Sequence, residues 1–370
     1  MIKTNILVKL SLTGLLIFGS CGKDKNKTPQ DNPSNPNKPI DPTQPPIEPN
    51  KPIDPETVVT GTQCGQPDGF IGISTKEELQ SIGSNLQTLQ GNYFLCNDID
   101  LKGMNFEPIG ETYKPFLGQF DGNHKKILNL TIKSNEFSDS GIALFGSLGS
   151  KFSKVRNVHL ENVDISSNSN PMASLVGSNY GTIENCSATG NISSDFSNEN
   201  HYLQYFGGLV IRNYGYILKS YTNIELVIQK SDKTTIYIGG LVAMNWSIIK
   251  FCYATGNIKM LGGIGSLLGG LIGSNNNFVE NSYATGMIHM NGIEQTSSQN
   301  PNNVGGLVGF TTSGYVINSY YPKGRPTGSV SSSSNTGTAI DITQQQSLLS
   351  GFSASDWKHT AGQWPLLAWQ

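Results

Sequence analysis

Five histidines are the first place to look for acid–base or metal chemistry in this 370-residue chain: His124, His159, His201, His289 and His359. Each stands alone, and none is followed by Glu. The His-Glu-x-x-His spacing that sets two zinc ligands and a general base on one helix face is therefore missing. Asp98 and Asp100 alternate along an apolar stretch, which puts both carboxylates on one face of a strand; hydrogen bonding in a cap or turn accounts for them better than a catalytic dyad. Asp121-Gly122-Asn123-His124 reads as a tight turn. There is no phosphate loop, Cys-x-x-Cys pair or Cys/His metal spacing. On these residues the chain is expected to hold no cofactor or metal and not to be an enzyme.

What must position any site is a repeat. Phe206-Gly207-Gly208-Leu209-Val210 returns as Ile238-Gly239-Gly240-Leu241-Val242, Leu268-Gly269-Gly270-Leu271-Ile272 and Val304-Gly305-Gly306-Leu307-Val308. Looser copies surround Leu144 and Leu175. Successive leucines lie 31, 34, 32, 30 and 36 residues apart. The irregularity is localised. From Leu175 to Ile192, Leu209 to Leu226, Leu241 to Ile258 and Leu271 to Ile288 the offset is always 17, so insertions gather at one corner.

Each unit reads as a short apolar strand, an Asn-centred turn (Asn179-Tyr180-Gly181, Asn213-Tyr214-Gly215, Asn245-Trp246-Ser247, Asn275-Asn276-Asn277), a second strand and a third. One such coil cannot bury its apolar side alone, whereas coils stacked about 4.8 Å apart enclose a shared core. The predicted fold is all-β, a parallel β-helix of about seven rungs counting one at Phe116–Gly122, right-handed because parallel crossovers take that hand. Cys186 and Cys252 share a column with Val158, Ser220, Ser282 and Ser319. They fall two rungs, about 9.6 Å, apart, too far for a disulfide, and are expected free and buried.

β-Helices that process polysaccharides set acid clusters and an Arg or Lys base on adjacent rungs. Here Glu184 and Glu280 share a column with Lys250 between them, a solvated face, and Arg occurs in the repeats only at Arg156, Arg212 and Arg325.

The ends differ from the repeat. Lys3, an apolar stretch through Leu10–Phe18 and Gly19-Ser20 before Cys21 form an export signal, too short to span a membrane. The small residues before Cys21 resemble the lipobox of bacterial lipoproteins, which implies a lipid on Cys21 and attachment to a membrane. Gly22 is not the Asp that holds such proteins at the inner membrane, so an outer-membrane surface location is expected. Residues 21–56 are polar and Pro-rich, a semi-rigid stalk of about 3.1 Å per residue. Residues 57–112 carry a predicted helix start at Ser74-Thr75 with Leu79, Ile82 and Leu86 on one face, then a strand over Tyr93–Leu101: an N-terminal cap. In an exported chain Cys64 and Cys96 are candidates for a bridge that spacing alone does not settle. Residues 113–326 hold the repeats, and 327–370 a linker and a cap with Trp357, Trp364 and Trp369.

The Gly-Gly-Leu-Val-Gly phrases, followed by Asn185-Cys186-Ser187-Ala188-Thr189-Gly190 and Asn281-Ser282-Tyr283-Ala284-Thr285-Gly286, resemble the GLUG motif, named for glycine-leucine-any-glycine. It occurs in bacterial surface proteins, including filamentous adhesins and streptococcal immunoglobulin A peptidases. The resemblance covers about residues 70–370 and implies an extracellular, adhesin-like repeat module. The peptidases' zinc signature has no counterpart here, so their activity is not expected to carry over.

The surface offers two candidates for a binding role. Tyr221, Tyr253, Tyr283 and Tyr320 fall in one column beside the Cys/Ser column, and point the other way. They are candidate contacts for an extracellular glycan or protein, with stacking that only stabilises the ladder as the alternative. The inserted segments 194–204, 229–235 and 291–303 are a second candidate surface. Charged residues are 14% of the chain and net charge is −2, so no nucleic-acid partner is implied. The expected function is ligand binding by a surface lipoprotein, against a polysaccharide-processing enzyme or a purely structural component.

Overall fold

The computed structural model describes residues 61–370 apart from 136–137, 170, 197–202, 231–234, 263–265, 299–301 and 331–334. The export signal, Cys21 and the Pro-rich stalk lie outside the described residues, as do the tips of the variable corner.

Strands of mostly three to five residues pair in parallel with their copies one turn on, giving sheets of nine, seven and thirteen strands along the length of the chain and a fourth of four strands. The register is in step: Ile183, Ile217, Ile249, Val279 and Val316 are direct partners down one sheet. Leu144, Leu175, Leu209, Leu241, Leu271 and Leu307 are all fully buried, marking six turns of a parallel β-solenoid around one apolar core. The backbone N–H groups of Leu209, Leu241 and Leu271 each donate to the next leucine's carbonyl at 2.8–2.9 Å. Two glycines precede Leu209, Leu241, Leu271 and Leu307 for a steric reason. A Cβ on Gly207 would lie 1.9 Å from the Val210 carbonyl oxygen, and one on Gly208 would lie 1.9 Å from that of Gly240.

Two features of the coil were not in its sequence reading. The segment read as one strand from Ile183 to Gly190 is bent at Asn185, which has φ of 52°. Asn157, Asn281 and Asn318 occupy the same corner with φ of 54°, 49° and 45°, in the left-handed region that Asn tolerates best. The asparagines read as turn centres also point inward, which the sequence reading did not specify. Asn179, Asn213, Asn245 and Asn275 are fully buried, and each of the first three donates Nδ2 to the Oδ1 of the next at 2.8 Å. Their Oδ1 atoms also accept backbone N–H groups two residues on, so one column of amides satisfies the corner.

Cys186 and Cys252 are free and fully buried. Each thiol lies 3.2 Å from the carbonyl two residues back, the bond that Ser220 and Ser282 make with their hydroxyls at 2.8 Å. Burial pushes both thiols up to about 12.

At the N-terminal end Thr75 and Glu78 close a capping box on the helix Lys76–Ser81, which buries Leu79. Ile82 is buried as well, but the helix has ended before Leu86, which is exposed. Cys64 and Cys96 are disulfide-bonded, with Cα atoms 5.5 Å apart. At the other end Ser329–Val330 and Thr338–Ile340 add the last parallel pairings. Beyond Ile340 the chain turns back along the flank of the solenoid, where a cap over its open end had been expected.

Candidate functional site

The four tyrosines do form a column. Tyr221 stacks on Tyr253 at 4.7 Å and 6°, and Tyr253 on Tyr283 at 4.8 Å and 2°. Tyr320 continues the register. As a ligand platform, however, the column needs correction, because the C-terminal segment lies over it. Tyr253, Tyr283 and Tyr320 are 4%, 1% and 8% exposed, in one apolar cluster with Leu349, Phe352, Trp357 and Leu367. Their hydroxyls are occupied too: Tyr253 donates to Gln370 Oε1 at 2.9 Å, Tyr283 to the Pro365 carbonyl at 2.6 Å and Tyr320 to the Ser350 carbonyl at 3.2 Å. Burial raises the pKa of Tyr253 and Tyr283. The ligand of this column is the protein's own C-terminus.

A second aromatic column, which sequence reasoning missed, keeps Tyr180 and Tyr214 exposed and Trp246 half-buried. Tyr180, Tyr214 and Trp246 follow the buried Asn179, Asn213 and Asn245, so with the amides turned in these rings turn out. Tyr180 and Tyr214 stack at 4.7 Å and Tyr214 and Trp246 at 5.0 Å, both within 10° of parallel. Tyr180 is 48% and Tyr214 38% exposed. Their hydroxyls reach solvent while their rings pack on one another, which suits a contact surface. Beyond Trp246 the column continues as Asn276 and Thr312, and there a groove of about 410 Å³ opens, with Tyr237 and Phe310 also in its wall. The signal for this ladder was present in the sequence, as an aromatic directly after three of the four turn asparagines.

The acidic residues weighed as chemistry are engaged structurally. Asp98 Oδ1 accepts the Lys126 N–H, and Asp100 Oδ1 accepts Lys102 N–H and Asn129 Nδ2, which lowers the Asp100 pKa. Asp121 accepts from Asn123 N and Asn157 Nδ2 and pairs with Arg156 at 2.8 Å. Glu184 pairs with Lys154 at 2.8 Å and Glu280 with Lys250 at 2.7 Å. These are carboxylates held by cations or amides, Asp121 buried and the others exposed or half-buried.

Fold and sequence together define a parallel β-solenoid that carries a GLUG motif. Residues 172–193 match the family profile described as the GLUG motif. Among curated proteins the chain is similar to halomucin of Haloquadratum walsbyi, 31% identical over 154 residues, a match covering 38% of this chain and 2% of halomucin. The chain thus spans a small fraction of the length of that relative. Among solved structures it is similar to a provisionally named immunoglobulin A1 protease from Bacteroides ovatus. The TM-score is 0.57 at 19% identity, over 84% of this chain and 96% of that one. An IgA1 protease structure superposes with a TM-score of 0.45 at 17% identity, over 80% of this chain and 24% of that one.

The Bacteroides ovatus structure overturns one expectation. From its missing zinc signature the chain was expected not to be an enzyme, yet the solved chain that shares this solenoid over almost its whole length is named for a protease. The fold is therefore found in a chain named as a peptidase, and neither the solenoid nor a missing motif is a ground for excluding catalysis.

Proposed function

We propose that this chain is a bacterial surface lipoprotein whose solenoid binds an extracellular ligand on the face that carries Tyr180, Tyr214 and Trp246. The observation that carries the reading is the contrast between two aromatic columns. One is buried with its hydroxyls bonded to the C-terminal segment, and the other keeps Tyr180 and Tyr214 exposed and Trp246 half-buried beside a groove. Exposed aromatics with polar tips are the residues that interfaces favour. The lipid anchor rests on the resemblance around Cys21, and with it the outer-membrane location.

The experiment is binding of the full-length protein to glycan arrays and to immobilised matrix proteins, repeated with Tyr180, Tyr214 and Trp246 replaced together by Ala. Loss of binding with an unchanged melting temperature supports the face. Retained binding rejects it. Analysis of the captured ligand for cleavage products shows in the same assay whether binding is coupled to catalysis. For the anchor, Cys21→Ser is expected to abolish labelling by a radioactive fatty acid and release the protein from membranes; unchanged labelling rejects the lipidation.

A further inference from the structure

A stack of three rings leaves two ring faces without an aromatic neighbour, one at each end. The inner faces of Tyr180, Tyr214 and Trp246 are used against one another at 4.7 and 5.0 Å. At the Tyr180 end a groove of about 220 Å³ is shared with Pro115 and Gly149. At the Trp246 end the next turn brings Asn276, whose short side chain leaves open the place, about 4.8 Å on, that a fourth ring would take. The larger groove lies there, within the size range of small-molecule sites.

The chemistry of that groove is specific. No side chain lining it is charged. Beside the indole are the amides of Asn276 and Asn303 and the hydroxyl of Thr312, with Tyr237 and Phe310 closing the wall. Neither Trp246 Nε1 nor the Asn276 side-chain amide is engaged in the hydrogen bonds of the described residues. An anionic polymer would call for Arg or Lys here and a basic peptide for carboxylates. A pyranose ring calls for a flat apolar plate under its C–H face and neutral donors and acceptors around its hydroxyls, the combination that is present.

We propose that the free face of Trp246, with Asn276 and Thr312, is a subsite for one pyranose unit of a neutral glycan, the sugar taking the place of the ladder's fourth ring. The proposal rests on the ligand-binding face argued above and names its ligand class.

The test titrates the full-length protein calorimetrically with neutral hexaoses of glucose, mannose and xylose, and with heparin and polygalacturonate as charged comparators. The variants are Trp246→Ala and Asn276→Trp. The second fills the fourth place with a ring, so it blocks the subsite while extending the stack, and it keeps the test meaningful if the first folds poorly. Binding of a neutral hexaose, weakened at least about tenfold by both variants with the melting temperature maintained, is the expected result. Equal affinity of Asn276→Trp for the hexaose overturns the subsite. Binding confined to the charged polysaccharides, or to the matrix proteins of the preceding assay in a ladder-dependent way, overturns the neutral-glycan assignment and leaves the binding face standing. No binding by any of these ligands overturns both.

Discussion

Trp369 Nε1 donates a hydrogen bond of 2.9 Å to the backbone carbonyl of Lys219, across 150 residues of chain. That contact explains a break in the repeat. At the left-handed corner position the solenoid uses Asn157, Asn185, Asn281 and Asn318, but Lys219 and Phe251 stand between them with φ of 48° and 56°. A bulky residue in that region is strained, so something must compensate. Lys219 Nζ reaches Asp356 at 2.9 Å, and Phe251 packs against the aromatic cluster of the C-terminal segment. The two turns that abandon Asn are among those the returning chain crosses, which also include the turns of His159, Tyr283 and Tyr320. The flank is built to hold the C-terminus.

The anchor of that segment is Trp357, 1% exposed and packed on Phe352 at 4.5 Å and on Tyr283 at 5.7 Å. Trp357→Ala is expected to cost about 3–5 kcal/mol, read as a lowered melting temperature with new dye binding to the uncovered tyrosines. Trp357→Phe should cost much less, because the buried Nε1 of Trp357 has no acceptor and its removal offsets part of the lost packing. Equal loss from both variants would reject this account.

The far end of the segment is pH-sensitive. Trp369 stacks on His159 at 5.0 Å, and His159 stacks on His124 at 5.8 Å. Burial first, then the neighbouring His124, lowers His159 from 6.5 to about 4; Glu161 opposes this and Lys126 assists it. The folded state therefore binds fewer protons than the unfolded one between these values. The stability from neutral His159 is fully present above pH 6.5 and is lost as pH falls towards about 4. Quenching of Trp369 fluorescence in the folded protein should hold steady from pH 8 through 6.5 and change as His159 takes up its proton near pH 4, while stability begins to fall already below 6.5; His159→Phe should flatten both changes. An unaltered profile in the variant would assign the pH response elsewhere.

The asparagine column predicts a sharp cost. Asn245 accepts from Asn213 and donates to Asn275, and its Oδ1 also accepts the Ser247 N–H. Asn245→Leu removes the acceptor of both Asn213 Nδ2 and the Ser247 N–H and leaves Asn275 Oδ1 with only the Asn277 N–H, expected to cost about 2–4 kcal/mol. Urea denaturation followed by circular dichroism reads it. A change below 1 kcal/mol would show the ladder to be energetically idle.

Much of the architecture was legible, because a short period writes the same local problem many times. Gly207-Gly208-Leu209 and its copies fixed the stacking, and the column shared by Cys186 and Ser220 is bonded as one column. Two things were not legible for different reasons. Asn179 and its copies looked like turn residues because Asn serves both exposed turns and buried ladders, and only the packed corner decides between them. The fate of Tyr253 and Tyr283 depended on residues 345–370, which carry no repeat and so no register to project. The outer ladder of Tyr180, Tyr214 and Trp246 lies within the turns named in the sequence, but its outward direction follows only from the inward direction of the asparagines before it.

The buried thiols offer a reporter of the whole solenoid. Cys186 and Cys252 are fully buried with thiols pushed up to about 12, and Cys64 and Cys96 are joined to each other. In a Cys21→Ser background at pH 8, a thiol reagent should therefore leave the native protein unlabelled for as long as it stays folded. It should modify two thiols per chain on unfolding, at a rate set by opening of the core. Cys252→Ser should be close to neutral in stability, since Ser220 and Ser282, one turn to either side, already make the same bond to the carbonyl two residues back. Its labelling should drop to one thiol. Rapid labelling of the native chain, or a loss of several kcal/mol in Cys252→Ser, would show that this column is not the interchangeable small-residue spine described above.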